Sequence, residues 1–150
     1  MITLRPSNES ELETLSDLAL RSKAVWGYDA AFMDACKAEL TLTPADLRDT
    51  HLQVAEDGEG IIGFVQIEID GVVADLAKLF IEPARLRTGA GRRLFDWAVE
   101  TARAQGATRL TIEADPDAAP FYRRMGARDV GTAPSGSIPG RRLPLLELDL

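Results

Sequence analysis

The residues best equipped for chemistry lie between Leu79 and Leu94, Leu-Phe-Ile-Glu-Pro-Ala-Arg-Leu-Arg-Thr-Gly-Ala-Gly-Arg-Arg-Leu. An extended apolar stretch runs into a turn with glycines at 89 and 91, and a helix is expected to begin near Gly91. The first backbone N–H groups of a helix lack intrahelical acceptors, and the aligned peptide dipoles make that end positive. Glycine lets a bulky anion approach such a backbone closely, so the pattern suits phosphate. Arg87, Arg92 and Arg93 add charge, and a guanidinium can grip two oxygens of one phosphate. Two common nucleotide loops are disfavoured. A Walker loop needs Gly-Lys-Ser/Thr, but Arg92 follows Gly91; a dinucleotide fingerprint needs a third glycine where Leu94 stands.

Charge is unevenly placed. The net charge is -7, yet residues 1–82 hold 16 acids and 6 bases, while residues 83–150 hold 8 acids and 11 bases, all arginine. The second part suits an anion, and the acidic first part suits a cation. An acidic chain without a basic stripe argues against nucleic-acid binding. Cys36 is the only cysteine and His51 the only histidine. An internal disulfide and a thiolate cluster are excluded, a zinc site lacks ligands, and no metal is expected. Cys36 is expected as core filler. No stretch approaches the roughly 20 apolar residues of a membrane helix, and no signal-peptide pattern opens the chain. The expectation is a cytoplasmic protein without a membrane partner.

The positioning elements follow from periodicity. With 150 residues the chain is the size of one domain, residues 1–150. Ile2–Arg5 reads as a strand. Ser10 and Glu13 fit a capping box, after which Leu12, Leu15, Leu18 and Ala19 share a helical face. A second helix is expected from about Asp29 to Glu39 and a short one after Thr43-Pro44. Leu52–Ala55, Ile61–Ile69 and Val72–Ile81 read as three antiparallel strands, the last two joined at Asp70-Gly71. A helix to about Ala104, with Leu94, Phe95, Ala98 and Ala102 on one face, precedes a strand at Arg109–Ala114, expected to lie parallel to Val72–Ile81. A short helix at Ala118–Met125 and a last strand at Leu143–Leu150 complete a mixed α+β fold around one sheet. That last strand is apolar enough to meet a partner's edge, which leaves a homodimer as an open expectation.

A second motif, Glu113-Ala-Asp-Pro-Asp-Ala-Ala-Pro-Phe-Tyr-Arg-Arg-Met-Gly126, joins a strand end to the short helix. Together with the loop it resembles the GCN5-related N-acetyltransferase (GNAT) family, over nearly the whole chain in element order. The family's phosphate motif, Gln/Arg-x-x-Gly-x-Gly/Ala, is met by Leu86-Arg-Thr-Gly89-Ala-Gly91, with Leu86 in place of the polar residue. Its Asn-x-x-Ala-x-x-Tyr motif is met by Asp115, Ala118 and Tyr122, with Asp115 in place of asparagine. The segment Ser135-Gly-Ser-Ile-Pro-Gly-Arg-Arg-Leu-Pro resembles a bacterial-type subgroup of unassigned substrate.

The resemblance implies a mostly antiparallel sheet flanked by helices, ending in two strands, and transfer of an acetyl group from acetyl-CoA to a small-molecule or peptide amine. It places Leu79, Phe80 and Ile81 along the pantetheine, with an oxyanion-stabilising N–H near Phe80. Arg87, Thr88, Gly89, Ala90, Gly91 and Arg92 would hold the pyrophosphate, and Asp115, Ala118, Phe121 and Tyr122 would line the other side. Tyr122 would be the general acid for the departing thiolate. Asp75, Glu68 and, third, Glu82 are candidate bases, since an ammonium must lose its proton before attack. Trp26, Tyr28 and Asp29 are candidate acceptor residues, two aromatics and an acid in a glycine-containing joint between helices. A non-catalytic acyl-CoA-binding sensor on the same fold is the alternative.

Overall fold

The computed structural model describes all residues, Met1–Leu150. Strand β1 (Thr3–Pro6) leads through a 3-10 turn at Glu9–Glu11 into helix α1 (Leu12–Ala24). The cap differs from the expected Ser10–Glu13 box. Asn8 is the N-cap, its N–H donates to the Glu11 carboxylate at 3.1 Å, and Ser10 donates to Asn8 Oδ1. Glu11 is fixed by a two-pronged bond from Arg5 (2.9 and 2.6 Å), a partner that no local spacing rule includes.

Helix α2 (Ala30–Leu40) follows the Gly27 joint, and helix α3 (Pro44–Asp49) begins with the expected proline and a Thr43–Asp46 capping box. Then β2 (His51–Asp57), β3 (Gly60–Asp70) and β4 (Val73–Ile81) continue an antiparallel meander from β1. Asp70 pairs with Val73, so the turn residues are Gly71, at φ +61°, and Val72, one position later than expected. Helix α4 (Ala90–Ala104), β5 (Arg109–Glu113), α5 (Ala119–Arg124), β6 (Arg128–Pro134) and β7 (Arg142–Asp149) complete the chain.

The seven strands form one sheet in the order β1-β2-β3-β4-β5-β7-β6, with β4 and β5 the single parallel pair. This is the α+β, mostly antiparallel sheet that was expected. One argument for a dimer falls, however. Strand β7 lies between β5 and β6, and its apolar residues serve the interior: Leu146 is fully buried. The edges are β1 and β6. Strand β6 has one buried residue, Ala133, a register shift around Val130 and Pro134 at its end, all of which blunt an edge.

Each sheet face carries its own core. Leu94, Phe95, Ala98 and Ala102 of α4 pack with Val65, Ile67, Leu110, Ile112 and Leu146. Leu15, Leu18 and Ala19 of α1 and Cys36 and Leu40 of α2 cover Leu52, Val54 and Phe64 on the other face. Each large side chain so buried contributes about 1.5–3 kcal/mol.

One irregularity shapes everything that follows. Gln66 faces Lys78 and Ile67 faces Leu76, so Ala77 is an extra residue on β4. Such a bulge sharpens strand twist and re-aims the residues after it. Strand β4 then pairs with β5 only at Val73, Ala74 and Asp75. Beyond that point β5 stays with β7, and the Ala114 N–H donates to the Pro144 carbonyl at 2.9 Å. The edge of β4 from Leu76 to Ile81 is left without a strand neighbour on that side.

Candidate active site

The splay opens a cleft of about 660 Å³, lined on one wall by every residue from Leu76 to Ile81. Leu79, Phe80 and Ile81 therefore lie where an extended ligand can pair with backbone. At the cleft's end, Glu82-Pro83 breaks the strand and a short 3-10 turn at Pro83–Arg85 leads into the glycine loop. Thr88 Oγ1 donates to the Arg85 carbonyl at 2.8 Å and closes that turn. Arg87 sits at φ +65° and Gly89, the N-cap of α4, at φ +89°. The first bond of α4 runs from Arg93 N–H to the Gly89 carbonyl at 3.1 Å, so the Ala90, Gly91 and Arg92 amides have no intrahelical acceptor.

Arg87 and Arg92 reach the cleft, and so does Arg124 of α5, which the sequence had not singled out. Arg87 and Arg124 have no acidic partner, and Arg92 has only a long contact of 3.9 Å to Asp96. Arg93 is turned away, donating to the Ile2 carbonyl of the N-terminal segment. Thr88 and Ala90 do not line the cleft, and Ala90 is core. On the opposite wall lie Asp115, Ala118, Phe121 and Tyr122. A Cβ on Gly91 would touch the Phe121 ring at 3.5 Å, so α4 and α5 approach closely there.

Tyr122 is 6% exposed, with its ring against Phe95 and Phe121. The residue lines the cleft, and no protein group hydrogen-bonds its hydroxyl. Burial first, and the Asp115 charge second, push its pKa up, so the phenol stays protonated at neutral pH.

The carboxylates are placed differently from the sequence expectation. Asp75 and Glu68 face each other across β3 and β4 and line a separate depression with Asp49 and Asp70, outside the cleft. Asp75 accepts a bond from Thr111 Oγ1 at 2.7 Å; burial raises its pKa, and that bond opposes the rise. Glu82 is held by Arg21 at 2.9 and 2.7 Å, which keeps its carboxyl below the usual range. The carboxylates that do line the cleft are Glu113, at the end of β5, Glu39, near the end of α2, and Asp115 and Asp117 in the turn before α5. Burial, then the nearby Asp75 and Glu39 charges, push the Glu113 carboxyl up. Glu113 opens the second motif at a strand end, the signal that could have marked it; Glu39 carries no sequence signal.

Of the expected acceptor residues, Trp26 lines the cleft and is 42% exposed. Asp29 caps α2, accepting from the Phe32 N–H at 2.8 Å. The Tyr28 ring is stacked on Phe32 at 3.9 Å, with Lys23 and Arg141 against the rings, and neither Tyr28 nor Asp29 borders the cleft. The Tyr28 hydroxyl donates to Asp115 at 2.6 Å and accepts from Arg141 at 2.8 Å; burial and that carboxylate push its pKa up to about 12. No group of three or more acidic, His or Cys side chains is arranged for a metal ion, and no helix is long and apolar enough to cross a membrane.

The family described as Acetyltransferase (GNAT) domain matches residues 11–134. No curated protein matches the sequence. Among solved structures, the PaiA N-acetyltransferase of Thermoplasma acidophilum in complex with coenzyme A aligns with TM-score 0.79 and 19% identity, over 100% of this chain and 99% of that one. A GCN5-related N-acetyltransferase from Rhodopseudomonas palustris aligns with TM-score 0.79 and 22% identity, over 99% and 95%. A GNAT-family acetyltransferase from Staphylococcus aureus aligns with TM-score 0.78 and 18% identity, over 99% of both chains.

Proposed function

The chain belongs to the GNAT acetyltransferase family, and from that premise we propose that it transfers the acetyl group of acetyl-CoA to a primary amine of a cationic small molecule or peptide. The observation that carries this is the splay of β4 from β5, with the amide-bearing start of α4 at the end of the freed strand edge. A cleft with an anion cradle at one end and a six-residue strand edge open on one side fits a long, phosphate-bearing thioester.

Acetyl-CoA would supply an acetyl group already activated as a thioester. The Gly91 and Arg92 amides, with Arg87, Arg92 and Arg124, would hold its phosphates. The β4 edge from Leu79 to Ile81 would align the chain and present an N–H to the carbonyl oxygen as charge develops there. Tyr122 would donate its proton to the leaving sulfur. A phenol is protonated at neutral pH and can serve a thiolate whose conjugate acid lies near 8.5. Glu113 replaces Asp75 and Glu68 as the base we favour, because it lines the cleft and its raised carboxyl is closer to a useful proton acceptor at neutral pH. Glu39 and Glu113 together would draw a positively charged acceptor.

Thermal melting with CoA, acetyl-CoA, ATP and NAD tests the reading. A ligand at 100 times its dissociation constant stabilises by about 2.7 kcal/mol. A shift specific to the CoA compounds, followed by CoA release with members of an amine panel, is expected. Binding without turnover of any amine would favour the sensor, and no CoA shift at all would remove the proposal.

A further inference from the structure

Asp115 stands where the family motif has asparagine, and its surroundings give it work inside the protein. Its side chain is 12% exposed. Oδ2 accepts from the Tyr28 hydroxyl at 2.6 Å and lies 3.7 Å from Lys23 Nζ and 3.6 Å from the Arg141 guanidinium. Oδ1 accepts from the Asp117 N–H at 2.9 Å. Arg141 also donates to the Tyr28 hydroxyl at 2.8 Å, so the five groups form one closed network.

These partners come from two distant parts of the chain. Lys23, in the last turn of α1, and Tyr28, in the joint before α2, are near neighbours, while Arg141 belongs to the segment between β6 and β7. The same segment is fastened at a second point, where Ser137 Oγ donates to Glu39 and Gly136 lies against that carboxylate. Trp26, Ser135 and Ser137, carried by the joined segments, line the cleft.

We propose that Asp115 is a positioning residue that clasps the α1–α2 joint to the β6–β7 segment and so sets the acceptor wall, rather than a contact for the cofactor. The charge is what the asparagine of the motif cannot supply. Lys23 and Arg141 are 16% and 19% exposed and both lean on the Tyr28–Phe32 stack. Without the carboxylate, two half-buried cations would face each other across one hydroxyl. Removing one partner of such a cluster costs more than its bonds are worth, because the remaining charges stay desolvated. The clasp relies on the acetyltransferase reading for the identity of the ligands, but not for its own existence.

The test uses Asp115→Asn in the intact protein, with Asp115→Glu and Arg141→Met beside it. Amide hydrogen exchange should quicken by about tenfold in residues 22–29 and 135–141 together, while β4 and α4 keep their protection. CoA affinity, by calorimetry, should stay within about twofold, and KM for an amine turned over by the wild type should rise about tenfold with kcat less affected. Arg141→Met should reproduce both effects, the double variant should be no worse than either single one, and Asp115→Glu should restore part of the loss. A tenfold loss of CoA affinity with unchanged exchange would overturn the clasp in favour of a cofactor contact. Faster exchange spread through the whole molecule, with both KM values unchanged, would reduce Asp115 to general stability and overturn it equally. If the wild type fails to bind CoA, the functional proposal falls, and the exchange pattern of the two segments still decides the clasp.

Discussion

Replacing Gly63 by alanine would place a methyl group against the strand that forms the cleft wall. Gly63 pairs with Ile81, and a Cβ there would lie 2.7 Å from Ile81 Cδ1, 2.9 Å from the Phe80 carbonyl oxygen and 3.3 Å from Leu94 Cδ1. The two side-chain atoms can turn aside. The Phe80 carbonyl is backbone, so β4 itself must give way, and it does so just before the phosphate loop. Overpacking of this kind costs about 1–3 kcal/mol, and the stiffer unfolded chain of alanine returns about 0.4–1 kcal/mol. The net expectation is a loss of about 1–2 kcal/mol, or roughly 2–8 °C in melting temperature for a chain of this size. Gly58→Ala is the control, since a Cβ there meets nothing within 4 Å. The assay is a thermal melt of both variants, followed by CoA titration, in which Gly63→Ala should also bind several-fold more weakly. A Gly63→Ala protein that melts and binds CoA like Gly58→Ala would refute the claim that β3 holds β4 in its cleft-forming position.

Three further outcomes are expected. Arg87→Gly should relieve a left-handed residue, leaving stability unchanged or up to about 1 kcal/mol higher, while weakening CoA binding; a melt and a titration of one sample separate the two effects. Tyr122→Phe should keep CoA affinity and lower kcat by about 100-fold or more, read under saturating amine. Glu113→Gln bears on pH. Burial disfavours ionised Glu113, so its folded carboxyl titrates above its unfolded value. Ionisation therefore weakens the fold, a loss that sets in as pH rises through the folded value and is absent below the ordinary carboxylate range of about 4. Glu113 is exposed to solvent, which screens this effect, so the variant should melt close to the wild type at both pH 7 and pH 4, and the acid limb of the rate profile should vanish in it.

Much of the fold was legible because its signals are local. The spacing of Leu94, Phe95, Ala98 and Ala102 marks one helical face, the Asp70-Gly71 pair marks a hairpin to within one residue, and the Gly89/Gly91 loop announces a helix start near Gly91. The cap at Asn8 was missed because Arg5 selects Glu11 through a contact outside the capping pattern. Strand β6 has no apolar alternation to reveal it, since its partner β7 rather than a core holds it. The site was harder to read. Asp75 and Glu68 are on the strands that frame the cleft, but the extra residue at Ala77 changes which side chains reach it, and no single-strand pattern encodes a bulge. Glu39 and Glu113 come together only through the packing of α2 against the sheet, Tyr28 has a partner 87 residues away that sequence proximity could not name, and Asp29 is taken up by the local N-cap of α2.

The three residue pairs shared by β4 and β5 also bear on how the chain assembles. The β2–β3 and β3–β4 hairpins are built from local contacts, whereas β1 reaches β2 only across the helices α1 to α3. Strands β5, β7 and β6 join them through one brief parallel seam and through Leu110, Ile112 and Leu146, which pack in the same core as α4. A molecule lying along the free edge of β4 would act as the missing stretch of strand, so binding and cooperativity would rise together: the ligand would complete the sheet as well as occupy it.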